Sequence, residues 1–482
     1  MLVTVVVVVW LGLLAALVQK QATPPEAPPL PAAADLPPER LATDEWFGIY
    51  QGDRKIGWAH RSITKVSDGL AVRDDSSFRL AMLGTEQRVQ TSLVAETDPT
   101  YTLKGFRFQL VSPAATFSAD GEIEGDRVSI EHGSGEARSK LEIPLKEPIH
   151  LPTTLRAKLA LWDAEPGARH GATVFSPLTM KNEPMTIVVE GRETIPGPNG
   201  PVETVRIAED HQGLAARAWI AKDGSTIREE ATLGFRLERQ APEVAVADVD
   251  GSAPVDLALE SRIPLDGRIE SPRESSRLRL AVRGAAAARI PDDPPRQRVR
   301  DGILEIEREP LPEPDSLAST EAPEELTKPS PFIESGDAEI VTVAREVAGD
   351  ETDHTRIARK LVDWVGSELT QEPSVTIPSA RAVLATKRGD CNEHAVLLAA
   401  LARAAGIPAR VVAGATYADD GFYYHAWNEL WLGGRWVSAD AIFRQLPADA
   451  THVKFLTGGP ESHLELADVV GRLEFATVES PS

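Results

Sequence analysis

The single cysteine of the 482-residue chain, Cys391, stands where a helix is expected to begin. Asp390 is a favourable N-cap residue and Glu393 follows three positions later, which is the spacing of a capping box. The nearly all-apolar run that follows predicts a buried helix of roughly 15 residues, ending just before Gly406. A thiol at such a helix start faces unpaired backbone N–H groups, which favour the nucleophilic thiolate and lower its pKa.

A lone cysteine is also often a small buried hydrophobic residue, so a catalytic interpretation needs a partner base. Residues 422–443 read FYYHAWNELWLGGRWVSADAIF, which predicts a hairpin with a two-residue Gly-Gly turn. That register pairs Trp427 with Asp440 and puts His425 diagonally beside Asp440 on the same face. A thiol, an imidazole and a carboxylate so arranged supply a nucleophile, a base and an orienting group, provided that the register does not slip by one residue.

His394 lies one helical turn after Cys391. It is interpreted as a structural residue that hydrogen-bonds near the helix cap, with a second base and a metal ligand as the alternatives. One cysteine and one histidine fall short of the four ligands of a structural zinc site, so no metal is predicted. The sequence also contains no phosphate-binding loop, no HExxH and no CxxC pattern, and no cofactor is expected.

Three further side chains near Asp440 are candidates for the lining of a cleft. Trp427 belongs to an aromatic set on the hairpin, which is explained either by cross-strand packing or by a wall of a substrate groove. Arg444 and His452 follow Asp440 closely in the sequence, in a segment expected to be a loop, and loops often carry functional side chains.

The motifs in this region resemble those of the transglutaminase-like superfamily of papain-like thiol enzymes. The series is G-D-C-x-E-H-A, then G-I-P-A-R-x-V-x-G, then H-A-W-x-E and G-x-W-x-x-x-D, within residues 330–471. The resemblance implies an α+β core in which a central helix packs against an antiparallel sheet. It also implies that Cys391 is the nucleophile, that His425 is the general base and acid, and that Asp440 orients His425. A proline often follows the aspartate in this family, and here Ala441 stands in its place.

The fold class expected for the whole chain is α+β, with an antiparallel β-rich region followed by the papain-like, transglutaminase-like domain. Short β-branched segments separated by Gly, Asn and Pro indicate hairpins upstream, whereas helical spacing of apolar residues begins after a proline-rich stretch. The expected divisions are a β-rich domain at 44–240, a β-like segment at 245–308, a proline-rich linker at 309–331, the transglutaminase-like domain at 332–471 and a C-terminal tail at 472–482.

The N-terminus carries an uncharged apolar run from Leu2 to Val18. Residues 1–20 are interpreted as an uncleaved membrane anchor, with a cleaved export signal or a buried element as alternatives. Residues 21–43 form a Pro/Ala-rich tether. The bulk of the chain is expected outside the cytoplasm, on the periplasmic or extracellular side, where a single cysteine cannot form an internal disulfide.

Charge and motif content together limit the function. The chain has 51 basic and 73 acidic residues, a net charge of −22, which argues against nucleic acid as a partner. The sequence predicts a membrane-tethered cysteine enzyme of the cell envelope that performs acyl transfer on amide bonds of a protein or peptide substrate, with hydrolysis favoured over transamidation. The alternative is a non-catalytic envelope binding or assembly module that uses the β-rich region. A third hypothesis is an enzyme whose cleft is covered by the linker or the β-rich domain.

Overall fold

The computed structural model describes residues 42–478, apart from 83, 135–136, 162–163, 178, 212–213, 232–233, 248–253, 255, 257–258, 260–261, 314–322, 460–465, 467–468 and 470. The predicted membrane anchor at 1–20 and residues 21–41 of the predicted tether lie outside this part of the chain. Within it, no helix combines the length and the apolar character needed to cross a bilayer.

The N-terminal part of the described chain is one antiparallel sheet of 14 strands. Its order is β8-β7-β6-β5-β4-β3-β2-β1-β14-β13-β12-β11-β10-β9, so that the first and last strands pair at its centre. The strands are β1 (Thr43–Gln51), β2 (Arg54–Val66), β3 (Gly69–Met82), β4 (Thr85–Thr97), β5 (Leu103–Val111), β6 (Thr116–Glu124), β7 (Arg127–Ser134), β8 (Ala137–Pro144), β9 (Arg169–Ser176), β10 (Lys181–Gly197), β11 (Gly200–His211), β12 (Leu214–Ala221), β13 (Thr226–Glu230) and β14 (Phe235–Gln240). Two helices, α1 (Pro152–Leu161) and α2 (Pro242–Val246), accompany it.

Side-chain alternation explains why these segments form strands with one buried face. In β5, Phe106, Phe108 and Leu110 are buried, while Arg107 and Gln109 between them are exposed. This period of two is the pattern of a strand that covers a core on one side and meets solvent on the other. The predicted antiparallel β-rich region is therefore confirmed.

The described residues of the C-terminal part form a second sheet and four α-helices of seven or more residues. The sheet order is β17-β18-β16-β25-β15-β22-β21-β24, with β23 paired to β22. These strands are β15 (Ile263–Asp266), β16 (Arg277–Arg283), β17 (Gln297–Arg300), β18 (Ile303–Glu307), β21 (Ala409–Ala418), β22 (Gly421–Leu432), β23 (Arg435–Ala439), β24 (His452–Gly458) and β25 (Glu474–Thr477). The helices are α3 (Ala338–Ala348), α4 (His354–Glu368), α5 (Ala380–Thr386) and α6 (Cys391–Ala404), and a short parallel pair joins β19 (Thr370–Gln371) to β20 (Arg388–Gly389).

Two segments that the sequence treats as separate units belong to this second sheet. Strands β15–β18 come from the β-like segment 245–308, and β25 comes from the predicted tail, where Phe475 is buried. These strands are four to seven residues long and pair with strands far away in the sequence. Their side-chain pattern is too short to indicate which sheet they join. The C-terminal unit of the described chain is therefore larger than the motif-bearing region.

Helix α6 forms the centre of the C-terminal core. Its residues from Glu393 to Arg403 are all buried, and it packs between the sheet and helices α3, α4 and α5. An apolar surface on every side is what a fully enclosed helix requires. The side chain of Asp390 and that of Glu393 complete the predicted capping box, so the helix begins at Cys391 as expected.

Residues 372–379, termed the strap, connect the two sheets. The backbone N–H of Val375 donates to the buried side chain of Gln87 in β4 at 3.2 Å, and Val375 packs against the core of the first sheet. On the other side, the Thr376 hydroxyl donates to Glu393 of the capping box at 2.6 Å. The strap therefore links the first sheet to the start of the cysteine helix.

The described residues of the predicted linker 309–331 pack against the C-terminal unit. Glu309 is buried and accepts hydrogen bonds from the backbone N–H and the hydroxyl of Ser438, both at 3.0 Å. The Arg403 guanidinium donates to the carbonyl oxygen of Lys328 at 2.8 Å. This second contact lies at the end of α6 opposite to Cys391.

Candidate active site

The β22–β23 hairpin has the register that its Gly-Gly turn predicts. Leu432 pairs with Arg435 and Asn428 pairs with Ala439, and both turn glycines have positive φ, 54° and 79°. Such φ values suit the tight turn of a two-residue hairpin and favour glycine. The next residue, Asp440, is thereby brought onto the same face as His425.

Asp440 and His425 are hydrogen-bonded within the protein interior. His425 Nε2 lies 2.6 Å from Asp440 Oδ2, and the two residues are 6 % and 0 % exposed. The backbone N–H of Phe443 donates to the other carboxylate oxygen at 3.1 Å. Because Nε2 faces the carboxylate, Nδ1 is the ring nitrogen left for chemistry.

The start of helix α6 lies against β22 at His425. The backbone N–H of Ala426, next to His425, hydrogen-bonds the Cys391 sulfur. Tyr424, the residue before His425, donates from its hydroxyl to Oδ1 of Asn392, the residue after Cys391, at 2.7 Å. These contacts place the start of helix α6 against β22 on both sides of His425. The His425–Asp440 pair of the predicted triad is thus present beside the cysteine helix, and a role for Cys391 with this pair stays a prediction.

The pKa of the Cys391 thiol departs from its predicted direction. Burial raises this pKa well above its ordinary value, the charge of Asp390 raises it further, and the Ala426 N–H only partly offsets both. The expectation of a lowered pKa is wrong because it counted the helix dipole but not the partial burial of Cys391 or the carboxylates of its own cap. Both effects favour the neutral thiol over the thiolate.

His452 makes a second hydrogen bond to the same oxygen of Asp440. Its Nε2 lies 2.9 Å from Asp440 Oδ2, and its Nδ1 lies 3.2 Å from the carbonyl oxygen of Asp449 and 3.3 Å from Asp449 Oδ1. Burial acts to lower the pKa of His452, but the hydrogen bonds to Asp440 and Asp449 outweigh it and raise the pKa. Burial likewise opposes ionisation of Asp440, but His425 and His452 hold its pKa far below the usual range.

The other predicted cleft residues lie at different distances from this centre. The Trp427 ring is buried and stacks on His425 at 6.1 Å between centroids, with an interplanar angle of 19°. His394 donates from Nδ1 to the carbonyl oxygen of Asp390 at 2.7 Å, and burial lowers its pKa. The Arg444 guanidinium instead donates to the carbonyl oxygen of Gly366 at 3.0 and 2.6 Å. Trp427 therefore packs against the ring of His425. His394 hydrogen-bonds at the start of helix α6, and Arg444 hydrogen-bonds to helix α4 and not to the His425–Asp440 pair.

Two residues of the site were missed from the sequence. Asp449 contacts His452, and the Arg273 guanidinium pairs with Asp449 Oδ2 at 3.0 Å and lies 4.0 Å above the Phe443 ring. The sequence Asp449-Ala-Thr451 could have indicated a turn at Asp449, because an aspartate side chain often accepts from the backbone N–H two residues later. Here the Thr451 N–H donates to Asp449 Oδ1 at 2.8 Å. Arg273 offered no such signal, since it precedes β16 in a segment far away in sequence.

Three of these groups could also offer ligands to a metal ion. One atom each of His425, Asp440 and His452 lies within 4.8 Å of the others. In the described site, however, these atoms are joined to one another through Asp440 Oδ2. The hydrogen bonds therefore account for the grouping.

Comparison with known proteins matches this region to one family. Residues 341–441, which include Cys391, His425 and Asp440, match the sequence model of the Transglutaminase-like superfamily. No curated protein matches the chain.

The chain is similar over part of its length to several solved structures. One is a candidate cysteine protease from Cytophaga hutchinsonii, with 17 % identity and a TM-score of 0.29, covering 44 % of this chain and 84 % of that one. Another is a β-barrel-like protein domain of unknown function from Brucella abortus, with 14 % identity and a TM-score of 0.33, covering 43 % of this chain and 98 % of that one. A candidate protease from Parabacteroides distasonis has 12 % identity and a TM-score of 0.21, covering 75 % of this chain and 65 % of that one. The family match shows that residues 341–441 are similar to the Transglutaminase-like superfamily.

Proposed function

We propose that the protein is a cysteine-nucleophile enzyme that performs acyl transfer on amide bonds of a peptide or protein, with hydrolysis favoured over transamidation. The observation that carries this proposal is the buried 2.6 Å hydrogen bond between His425 and Asp440 beside the start of the cysteine helix. A buried carboxylate that holds an imidazole next to a thiol is the arrangement of a nucleophile, a base and an orienting group.

The resting protonation state sets the order of the first step. Because burial keeps the Cys391 thiol neutral, the sulfur attacks the amide carbonyl carbon as His425 Nδ1 takes its proton. Asp440 stabilises the imidazolium that forms and holds the ring in place. The backbone N–H of Cys391, at the free end of α6, is suited to donate to the oxyanion of the tetrahedral intermediate.

Collapse of the intermediate completes the acyl transfer. The imidazolium of His425 gives its proton to the leaving amine as the C–N bond breaks, which leaves a thioester on Cys391. Water then attacks the thioester with His425 as the base, and it releases a carboxylic acid and the thiol. An amine in place of water would yield a new amide, and water is favoured because it is abundant.

The expected setting is the cell envelope. The apolar run at residues 1–20 supports a membrane anchor, with the bulk of the chain outside the cytoplasm. The large first sheet, joined to the cysteine helix through the strap, is a surface on which a protein substrate or an envelope partner can be held.

Trapping the acyl-enzyme tests the proposal. The full-length chain is incubated with a library of fluorogenic peptide amides, and intact mass spectrometry detects an adduct on Cys391. The C391A variant must form no adduct, and D440N must slow its formation. Added monodansylcadaverine separates the two outcomes, because transamidation incorporates the amine and hydrolysis does not. Absence of any adduct across the library, with a folded protein, would count against the enzyme.

One observation favours a second candidate, a non-catalytic binding module. A partly buried thiol with a raised pKa is what an inert structural cysteine shows. Iodoacetamide separates the candidates. A structural thiol reacts only after denaturation, whereas the proposed nucleophile reacts in the folded chain and loses that reactivity in the H425A variant.

A further inference from the structure

His452 lies between two carboxylates, and its geometry defines its charge. Nε2 faces Asp440 Oδ2 at 2.9 Å, while Nδ1 faces two oxygens of Asp449 at 3.2 and 3.3 Å. All of these oxygens are acceptors, so both ring nitrogens must carry a proton to satisfy them. A neutral ring would turn a lone pair towards an oxygen at one of the two sites. The geometry therefore describes a buried imidazolium.

The groups around His452 alternate in charge from the imidazole outwards. Asp440 separates His452 from His425, whose ring centroid is 5.7 Å away, and Asp449 separates His452 from Arg273. The uncharged Trp427 and Phe443 rings pack edge-on against His452, at 5.2 and 6.0 Å. Each carboxylate in this row thus has a cation on either side once His425 takes a proton.

We propose that His452 is a positioning residue of the site, acting through Asp440. It fixes the carboxylate so that Oδ2 accepts from His425, and Asp449 with Arg273 fixes His452 in turn. This inference rests on the proposed function, since it assigns His452 a part in the same proton transfer.

The two imidazoles share one carboxylate oxygen. Asp440 Oδ2 contacts both His425 and His452, and Asp440 Oδ1 accepts from the Phe443 N–H, so the carboxylate is held at both of its oxygens. Loss of His452 would remove one of these three contacts and would let the carboxylate turn away from His425.

The test is the H452Q substitution in the full-length chain, with ¹⁵N-histidine NMR as a readout independent of turnover. In the unsubstituted protein, the His452 signal is expected to stay doubly protonated above about pH 6.5, the ordinary histidine pKa. In H452Q, the ¹⁵N shifts of His425 should show loss of the Nε2-protonated tautomer that the Asp440 contact selects, because the carboxylate is no longer fixed. In the same variant, kcat should fall by about 10–100-fold, by analogy with residues that orient a metal ligand.

Two further variants keep the test decisive. In the D449N/H452Q double variant, two amides replace the imidazolium–carboxylate contact without charge. This variant replaces H452Q if H452Q alone misfolds, and it should show the same loss of the His425 tautomer preference. The control is H60Q, because His60 also bonds a carboxylate, Asp44, at 2.6 Å, but on the first sheet. A neutral His452, or an unchanged His425 tautomer in a folded variant, would overturn the proposal. If both NMR results are obtained but the unsubstituted protein forms no acyl-enzyme, the proposed function is refuted instead.

Discussion

Replacing Asp440 with asparagine is the sharpest perturbation of the site, because the substitution preserves shape and removes charge. The carboxylate is fully buried and accepts from His425 at 2.6 Å, from His452 at 2.9 Å and from the Phe443 N–H at 3.1 Å. An asparagine can still accept from the Phe443 N–H, but its amide nitrogen would face two imidazole nitrogens. Two hydrogen bonds that involve charge are lost, each contributing about 1.5–3 kcal/mol.

The expected loss in the free energy of unfolding of D440N is therefore about 3–5 kcal/mol, the range for breaking one side of a buried ion pair. The rate of acyl-enzyme formation should fall by about 10⁴-fold, because the imidazole loses its orienting acceptor. Urea unfolding followed by tryptophan fluorescence measures the first quantity, and intact mass spectrometry measures the second.

A matched control lies on the first sheet. Asp44 bonds His60 with the same 2.6 Å distance, but its side chain is 73 % exposed. Solvent screening limits such a pair to about 0–1 kcal/mol. D44N should thus leave stability and rate nearly unchanged. Equal losses of unfolding free energy in D44N and D440N would show that burial does not strengthen the contacts of Asp440, and the reasoning above would be refuted.

Three other predictions follow from local geometry and burial. In D390N, the pH midpoint of Cys391 alkylation should fall because an anion beside the thiol is removed, while helix stability is kept, since Asn caps as well as Asp; an unchanged midpoint would contradict the attribution. G414A should lower the free energy of unfolding in urea by about 1–3 kcal/mol more than G336A, because its methyl would meet a β24 carbonyl oxygen at 2.0 Å, whereas the atom nearest to a methyl at Gly336 is Pro329 Cγ at 3.8 Å; similar losses would disprove the clash. Burial raises the pKa of Glu45 to about 7, so its contribution is fully present below its unfolded pKa and is lost as the pH rises through 7; E45Q should reduce this decline in thermal denaturation, and an identical pH profile would refute it.

The candidate site was predictable where its signals are local. The capping residues place Cys391 at a helix start, and the Gly-Gly turn determines which residues of the hairpin face one another. Both signals operate over a few residues, so the chain carries them without reference to the rest of the fold. The same holds for the alternation of buried and exposed residues that identifies the antiparallel strands of the first sheet.

The parts that sequence reasoning missed depend on long-range contacts. Arg273 reaches Asp449 from a strand-rich segment far upstream, and β25 enters the second sheet from the predicted tail. Segments this short contain no sequence pattern that indicates which distant residues they will contact. The N-terminal anchor and the location outside the cytoplasm remain predictions from residues 1–20.

The sequence by itself determined the residue types of the site, their places at the ends of secondary-structure elements and the hairpin register. Only the tertiary structure decided their electrostatics. The direction of the Cys391 pKa shift depends on burial and on the carboxylates near the sulfur, and the charge of His452 depends on two carboxylates that contact it. Desolvation and charge–charge interactions are properties of the packed interior, and they arise only when residues distant in sequence exclude water together.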